Sequence, residues 1–187
     1  MKIVTYYEPI HELNPREQSE KLKKWSEEWK AAGFEVQQVG GNDFRRSRHR
    51  ITAQSLFRNT KTPRNADLEL ACFYRWFAYD VVSNHIMSPE PVLFSDFDCL
   101  PNGFTPEDVL RDEIVFYERG SIPCLVSTAS NGLQKLQQFL IRTPDPMEDS
   151  FVSDMILFQH NRLQFKTVDC VRDRNEPNFE KAKVIHG

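Results

Sequence analysis

The chain has 187 residues, of which 40% are hydrophobic and 27% are charged, with 24 lysines and arginines against 27 aspartates and glutamates. This length predicts a single domain over residues 1–187, and this ordinary globular composition excludes collagen-like, low-complexity and disordered proteins. The formal net charge of −3 also excludes the global basic field of many nucleic-acid binders, so any phosphate binding must be local.

Two features of the chain predict a cytoplasmic protein. No apolar run approaches the roughly 18 residues of a membrane span, and the strand-like start leaves no room for a signal peptide. The cysteines are far apart and have no spacing typical of a zinc knuckle or a redox motif, which predicts reduced and mostly buried thiols. These cysteines are Cys72, Cys99, Cys124 and Cys170.

The first forty residues have the pattern of a βαβ unit. Residues 2–7 are β-branched and aromatic and predict a strand that ends before Pro9. A helix follows, with Asn14 as its cap, an apolar stripe that includes Trp25 and Trp29, and its end at Gly33. Residues 34–39 predict a second strand, and this order indicates a mostly parallel central sheet flanked by helices.

Residues 44–66 are unusually basic and contain no acidic residue. One interpretation is a solvated loop, since runs of charge are usually exposed to water. The other is a patch that binds the phosphates of a donor, or of a nucleic acid, and the sequence does not decide between them. The basic residues are Arg45, Arg46, Arg48, Arg50, Arg58, Lys61 and Arg64.

Residues 67–82 are apolar on nearly every side, which predicts a central buried helix. Arg75 is the exception within this helix. Because an unpaired buried charge is very costly, we expect its guanidinium to pair with an anionic partner.

The apolar strand at residues 91–95 continues directly into Asp96-Phe97-Asp98. If this segment is extended, alternation places both carboxylates on one face and Phe97 on the other. Two adjacent carboxylates repel each other unless a divalent cation relieves them, and such hard oxygen ligands suit Mg²⁺ or Mn²⁺ beside nucleotide phosphates. An exposed loop with two unrelated aspartates remains the alternative.

The last third predicts several further elements. Strands are expected at 113–117, 122–127 and 165–168, a helix is expected after Asn131-Gly132, and another helix is expected to begin near Asp149. Residues 172–183 are polar and have no clear pattern.

Residues 1–160 resemble small glycosyltransferases of the GT-A type. The resemblance rests on the segment Tyr74-Arg75-Trp76-Phe77-Ala78, which precedes the strand ending in Ser95-Asp96-Phe97-Asp98-Cys99-Leu100-Pro101. It also rests on a first strand ending in Thr5-Tyr6-Tyr7-Glu8-Pro9 and on a late acidic pair, Glu148-Asp149. The resemblance implies a single-domain α/β fold and metal-dependent sugar transfer from a nucleoside diphosphate sugar, foremost a UDP-sugar, to an unidentified acceptor.

The resemblance also implies roles for individual residues. Asp98 would be the principal ligand of Mn²⁺ or Mg²⁺, with Asp96 touching ribose or metal and Arg75 pairing with Asp96 or the diphosphate. The end of the first strand would hold the nucleotide, through Thr5 and through Tyr6 or Tyr7 stacking on the base.

Two late positions complete the implied site. His186, after the last core strand, would be a further metal ligand, although a lone terminal histidine can also be merely exposed. Asp149 would be the catalytic base, with Asp154 second, although Asp149 could instead cap the late helix.

Two other functions fit parts of the sequence. Val92-Leu93-Phe94-Ser95-Asp96-Phe97-Asp98 also resembles the first motif of haloacid-dehalogenase phosphatases, in which Asp96 would be the nucleophile and Asp98 the acid/base. That family usually begins with this strand, however, and here it lies halfway along the chain. A non-catalytic nucleotide-binding module is the third interpretation.

Overall fold

The computed structural model describes residues 1–10, 14–57, 66–81, 90–119, 122–143, 153–161 and 164–187. The strands are β1 (Lys2–Tyr6), β2 (Glu35–Val39), β3 (Val92–Ser95), β4 (Cys99–Pro101), β5 (Ile114–Glu118), β6 (Ile122–Thr128), β7 (Lys166–Thr167), β8 (Val171–Asp173) and β9 (Val184–His186). The α-helices are α1 (Pro15–Ala31), α2 (Gly41–Phe44), α3 (Arg50–Phe57), α4 (Ala66–Ala78), α5 (Gly132–Arg142) and α6 (Asp154–His160). None of the helices in these ranges is long and apolar enough to cross a bilayer.

The central sheet has the strand order β2-β1-β3-β6-β5-β7. β1 is parallel to β2 and β3, and β5 is parallel to β7, but β6 is antiparallel to both β3 and β5. The sheet is therefore mixed, where the sequence predicted mostly parallel strands. The reason is the connection of three residues between Glu118 and Ile122, because neighbouring parallel strands need a crossover of about a dozen residues or more.

Both faces of the sheet are covered. Alternate residues of β1 and β3 point to opposite faces, so that Ile3 and Leu93 pack into one apolar cluster and Val4 and Phe94 into another. The first cluster contains the tryptophans of α1, and the second contains the buried side chains of α4, α5 and α6.

α1 confirms the predicted βαβ unit and also supports the region after β3. The Asn14 side chain accepts a hydrogen bond from the Arg16 amide, as expected of a helix cap. The indole of Trp25 donates to Ser95 Oγ (3.2 Å), and the indole of Trp29 donates to the Cys99 carbonyl (2.9 Å). Two buried hydrogen bonds therefore join this helix to the two ends of the Asp-x-Asp segment.

α4 is the buried helix that the sequence predicted, and it continues into a 3₁₀ turn at Tyr79–Val81. Phe73, Trp76 and Phe77 are buried, and Tyr79 stacks on Phe94 with 4.3 Å between ring centroids. This packing fixes α4 against β3 and directs Arg75 towards the carboxyl end of that strand.

The described part of the basic segment is partly helical, with turns at residues 45–49 between two helices. Residues 44–57 include the end of α2 and all of α3. Arg45, Arg46, Arg48 and Arg50 are exposed. Arg50 donates to Gln54 within its own helix, and Arg48 Nε lies 3.8 Å from Asp80 Oδ2. Exposure agrees with the solvated interpretation, while Arg58, Lys61 and Arg64 lie outside the described residues.

The late helix begins later than the sequence predicted. α6 starts at Asp154, with Ser153 as its cap accepting a hydrogen bond from the Ile156 amide (3.2 Å). Asp154 is therefore the first residue of this helix, and the expectation that the helix begins near Asp149 is wrong. Asp149 itself lies outside the described residues.

A second sheet of three short strands, β4-β9-β8, was not predicted. β9 is antiparallel to β4, with Cys99 opposite His186, and parallel to β8. The C-terminal residues are therefore anchored beside the segment that follows the Asp-x-Asp.

Candidate active site

The Asp-x-Asp segment is a turn and not an extension of β3. The Asp96 amide donates to the Cys124 carbonyl (2.8 Å), and the Cys99 amide donates back to the Asp96 carbonyl (3.1 Å). The premise of an extended segment is therefore wrong, and strict alternation of side chains does not apply here. Asp96, Phe97 and Asp98 all line one cleft, and Phe97 packs edge-to-face on Tyr7 with ring centroids 5.8 Å apart.

The turn brings Asp96 and Asp98 together with His186. One ligand atom from each of the three residues lies within 4.8 Å of the others, and His186 Nε2 is 3.6 Å from Asp98 Oδ1. The pairing of β4 with β9 places the histidine there, and the Gly187 amide donates to the Asp98 carbonyl (3.2 Å). The side chains are partly exposed, at 29%, 33% and 24% in that order, so a ligand can reach them.

These three donors fit a divalent cation. Two carboxylate oxygens and one imidazole nitrogen form a set that suits Mn²⁺, and the carboxylates alone also suit Mg²⁺. The pKa of Asp96 is raised to about 7, chiefly by burial and also by the carboxylates of Asp98 and Asp154, against the lowering effects of Arg75 and His186. Negative charge is thus crowded at this edge, and a cation bound there would relieve the repulsion.

Arg75 is buried behind this edge and paired on two sides, as the sequence predicted for an arginine in an apolar helix. Its guanidinium contacts Asp96, and Nη2 donates to Asp154 Oδ2 (2.7 Å). Although burial alone would lower the pKa of Arg75, the carboxylates of Asp154 and Asp96 raise it well above its usual value. Arg75 therefore stays charged and holds Asp96 at the end of β3.

The carboxylate of Asp154 is fully engaged. Oδ2 also accepts from the Trp76 indole (2.8 Å), Oδ1 accepts from the Met155 amide (2.8 Å), and the residue is buried. These bonds tie the start of α6 to α4 and orient Arg75. From the sequence, Asp154 was the second candidate for the catalytic base. In the structure its carboxylate instead holds the guanidinium of Arg75.

The cleft beside the turn has a volume of about 340 Å³. It opens at the carboxyl ends of β1 and β3, the edge at which α/β sheets bind ligands. Its lining residues are Tyr6, Glu8, Ile10, Asn14, Glu17, Gln18, Lys21, Leu68, Ala71, Cys72, Arg75, Asp96, Phe97 and Asp98.

Of the three residues predicted to hold a nucleotide at the end of β1, only Tyr6 lines this cleft. Thr5 is fully buried, and Tyr7 lies half-buried against Phe97. The Tyr6 hydroxyl donates to the carboxylate of Glu8, which the sequence analysis did not single out. Its position directly after a predicted strand was the signal that could have identified Glu8, because ligand-binding side chains often follow the strands of α/β sheets.

A second group of side chains lies beneath the turn and was also missed. Ligand atoms of Cys99, Cys124 and His186 lie within 4.8 Å of one another, and the Cys124 thiol donates to Glu118 Oε2 (2.5 Å). Burial raises the pKa of Cys99 to about 12, and burial likewise raises the pKa of Cys124 and of Glu118. The four cysteines are free, as predicted. Cys99, Cys124 and His186 are far apart in the sequence, so no motif spacing predicted this cluster.

The fold and the site define an α/β protein with a mixed sheet, a cleft at the strand ends and a carboxylate–histidine cluster at the edge of that cleft. The chain matches no protein-family model and no curated protein. Its structure is similar to the crystal structure of a glycosyltransferase involved in the glycosylation of the major capsid of PBCV-1. The TM-score is 0.57 at 11% sequence identity, and the match covers 99% of this chain and 91% of that chain. At this identity the likeness establishes a shared fold.

Proposed function

We propose that this protein is a metal-dependent glycosyltransferase of the GT-A type, which moves a sugar from a nucleoside diphosphate sugar to an acceptor. One observation carries the proposal: Asp96, Asp98 and His186 converge at the edge of the cleft. That the fold is shared with a glycosyltransferase supports the same assignment.

The donor would occupy the cleft between β1 and the turn. The cleft volume of about 340 Å³ is within the usual range of small-molecule sites, roughly 300 to 1,000 Å³. Tyr6 and Phe97 offer apolar faces for the base, and Glu8 offers an acceptor for ribose hydroxyls. A UDP-sugar is the first donor to test.

The cation would be Mn²⁺ or Mg²⁺, held by Asp98, Asp96 and His186. When bound, it would supply positive charge for the diphosphate leaving group. The chain's own contribution is preorganisation, because Arg75 holds Asp96 and Asp154 holds Arg75 before any ligand arrives. We assign the removal of the acceptor proton to Asp149, on its place in the sequence alone, and a positioning role to Asp154.

The phosphatase alternative uses the same turn differently. It requires the Asp96 carboxylate as a free nucleophile, whereas in the structure this carboxylate contacts the Arg75 guanidinium. A nucleophilic Asp96 predicts hydrolysis of a generic phosphomonoester and its loss in Asp96→Asn. A non-catalytic module predicts nucleotide binding without turnover of any donor.

The thermal stability of the protein with nucleotides tests the proposal. UDP at about 100 times its Kd should stabilise the protein by ~2.7 kcal/mol, which corresponds to a rise in Tm of roughly 5 to 10 °C for a chain of this length. We expect this rise only when Mn²⁺ or Mg²⁺ is present, because Asp98 would hold the cation and the cation would compensate the charge of the diphosphate. Asp98→Asn should abolish it.

The matched control is Asp112→Asn, which removes an exposed carboxylate that pairs with Lys166 away from the cleft. This variant should keep the full metal-dependent rise. A set of other nucleoside diphosphates identifies the base, and turnover of the matching nucleotide sugar, followed as released nucleoside diphosphate, separates an enzyme from a binding module. Nucleotide stabilisation that needs no metal and persists in Asp98→Asn would contradict the proposed site.

A further inference from the structure

Four metal-binding side chains meet beneath the Asp-x-Asp turn, outside the cleft described above. They are Cys99, Cys124, Glu118 and His186, which we name the Cys–His–Glu cluster. Both cysteines are buried, and Glu118 is nearly so. Glu118 Oε2 lies 2.5 Å from Cys124 Sγ and 3.7 Å from His186 Nδ1, so a single carboxylate oxygen contacts both neighbours.

The backbone holds these four residues in place through two pairs of strands and one hydrogen bond from the turn. The register of β4 and β9 sets Cys99 opposite His186, and Cys124 lies on β6, where its carbonyl accepts from the Asp96 amide. Glu118 ends β5, after the pairing of β5 with β6 becomes irregular beyond Phe116. The cluster is therefore built by the fold and does not depend on the conformation of a loop.

The buried carboxylate gives this cluster its chemical character. Glu118 has no lysine or arginine nitrogen within ion-pair distance in the described part of the chain, and its neighbours are a thiol and an imidazole. The imidazole lies 3.7 Å away and compensates the carboxylate only when it is protonated, and the thiol carries no charge. Beside a neutral imidazole the buried carboxylate has no countercharge, and a bound metal ion is one way to compensate it.

The donor set matches one metal better than others. Two sulfurs, one imidazole nitrogen and one carboxylate oxygen supply four ligands, all of types that bind tetrahedral Zn²⁺. An ion with ligand distances of about 2.0 to 2.3 Å holds neighbouring ligand atoms roughly 3.3 to 3.8 Å apart. The separation of His186 from Glu118 already has this value, and Cys124 and Glu118 need to move apart by about 1 Å.

We propose that the Cys–His–Glu cluster is a zinc site, which shares His186 with the carboxylate site at the cleft. Binding breaks two S–H bonds, passes both protons to water and forms two Zn–S bonds, with no change in oxidation state. His186 would offer Nδ1 to zinc while its Nε2 faces Asp98, so zinc would fix the orientation of the ring at the cleft. When the cleft cation also binds Nε2, the imidazole N–H proton passes to water as well, and the ring bridges the two ions as an imidazolate. The ion would also join β4, β6 and β9 beneath the turn.

Cobalt spectroscopy on the unmodified protein tests this site. The reduced, chelator-treated protein is titrated with Co²⁺, and we expect thiolate-to-cobalt charge-transfer bands together with the intense visible bands of a tetrahedral ion. One equivalent of Zn²⁺ should remove these bands, whereas an excess of Mg²⁺ should not, because the sulfur ligands disfavour a hard cation. A spectrum without thiolate bands overturns the proposal without the need for any variant.

Variants then assign the ligands. Cys99→Ser and Cys124→Ser should each weaken cobalt binding by at least about 100-fold, whereas Cys170→Ser, a cysteine outside the cluster, should leave it unchanged. Asp98→Asn should keep the thiolate bands while it loses the metal-dependent nucleotide effect, so this proposal and the proposed function can fail separately. Bands that disappear in Asp98→Asn, or that survive in both serine variants, would place the ion elsewhere and overturn the zinc site.

Discussion

Asp96 lies between two regions that each contain an aspartate, one of them buried and one partly exposed. Behind it, Arg75, Asp154 and Trp76 form a buried hydrogen-bonded group. Both carboxylate oxygens of Asp154 accept hydrogen bonds in this group. In front of it, Asp98 and His186 are partly exposed and face each other across 3.6 Å. The comparison shows that burial and partners, more than residue type, decide whether a carboxylate positions a neighbour or is available to a ligand.

The two regions should therefore contribute differently to the free energy of unfolding. Breaking a buried ion pair by removing one partner costs about 3 to 5 kcal/mol, because the other charge is left without compensation. Partly exposed charges are compensated by water, and pairs of them contribute roughly 0 to 1 kcal/mol. We therefore expect the rear group to control folding and the front cluster to control ligand binding.

The largest expected effect is on the rear group. Asp154→Asn keeps the shape of the side chain and removes the charge that faces Arg75, so the free energy of unfolding should fall by about 3 kcal/mol or more. Urea denaturation measures this change. Asp98→Asn is the matched control, and it should change the free energy of unfolding by no more than about 0.5 kcal/mol.

A double variant sharpens this prediction. Arg75→Met with Asp154→Leu removes both buried charges at similar volume and should recover much of the loss. A loss below about 1 kcal/mol in Asp154→Asn, or equal losses at Asp154 and Asp98, would mean that burial does not separate the two regions.

The next largest effect is on ligand binding at the front cluster. His186→Ala removes the imidazole nitrogen beside Asp96 and Asp98, so the affinity for Mn²⁺ should fall by at least about tenfold, or ~1.4 kcal/mol. Calorimetric titration of chelator-treated protein measures this affinity. The free energy of unfolding of the same metal-free sample should change little, and His160→Ala, an exposed histidine at the end of α6, should change neither quantity.

An unchanged affinity in His186→Ala would show that Asp96 and Asp98 bind the ion without the histidine. A large loss of stability in the metal-free protein would show instead that His186 belongs with the buried group. Either result would remove His186 from the set of residues that bind the ion at the front cluster.

The sequence predicted the parts of the molecule that follow from local patterns. Asn14 and Gly33 mark the ends of α1, and the strand before Asp96 is apolar enough to identify. Arg75 could be predicted to pair because an arginine in a helix that is otherwise apolar has few alternatives to an anionic partner.

The sequence could not predict what depends on contacts between distant short segments. β4, β8 and β9 have three residues each, too few for alternation to show, so the second sheet was missed. That sheet places His186 beside Asp98, and it also brings Cys99 close to Cys124. The start of α6 was misplaced because Asp149 and Ser153 are both good caps, and in the structure Ser153 caps the helix.

The smallest expected effect is on an ion pair that is mostly exposed to solvent. Arg16 and Glu20 form an ion pair one turn apart on α1, with 2.9 Å between Nε and Oε1 and side chains that are 88% and 66% exposed. This distance is close to that of the Arg75–Asp154 pair, so distance alone would predict a similar contribution to stability. Water and salt screen the exposed pair, however, and ordering two long side chains opposes it, so such pairs contribute about 0.3 to 0.5 kcal/mol. Glu20→Gln should therefore lower the free energy of unfolding by no more than about 0.5 kcal/mol in urea denaturation, and added salt should reduce even this difference. A loss comparable to that of Asp154→Asn would show that the geometry of an ion pair, and not its burial, sets the stability of this fold.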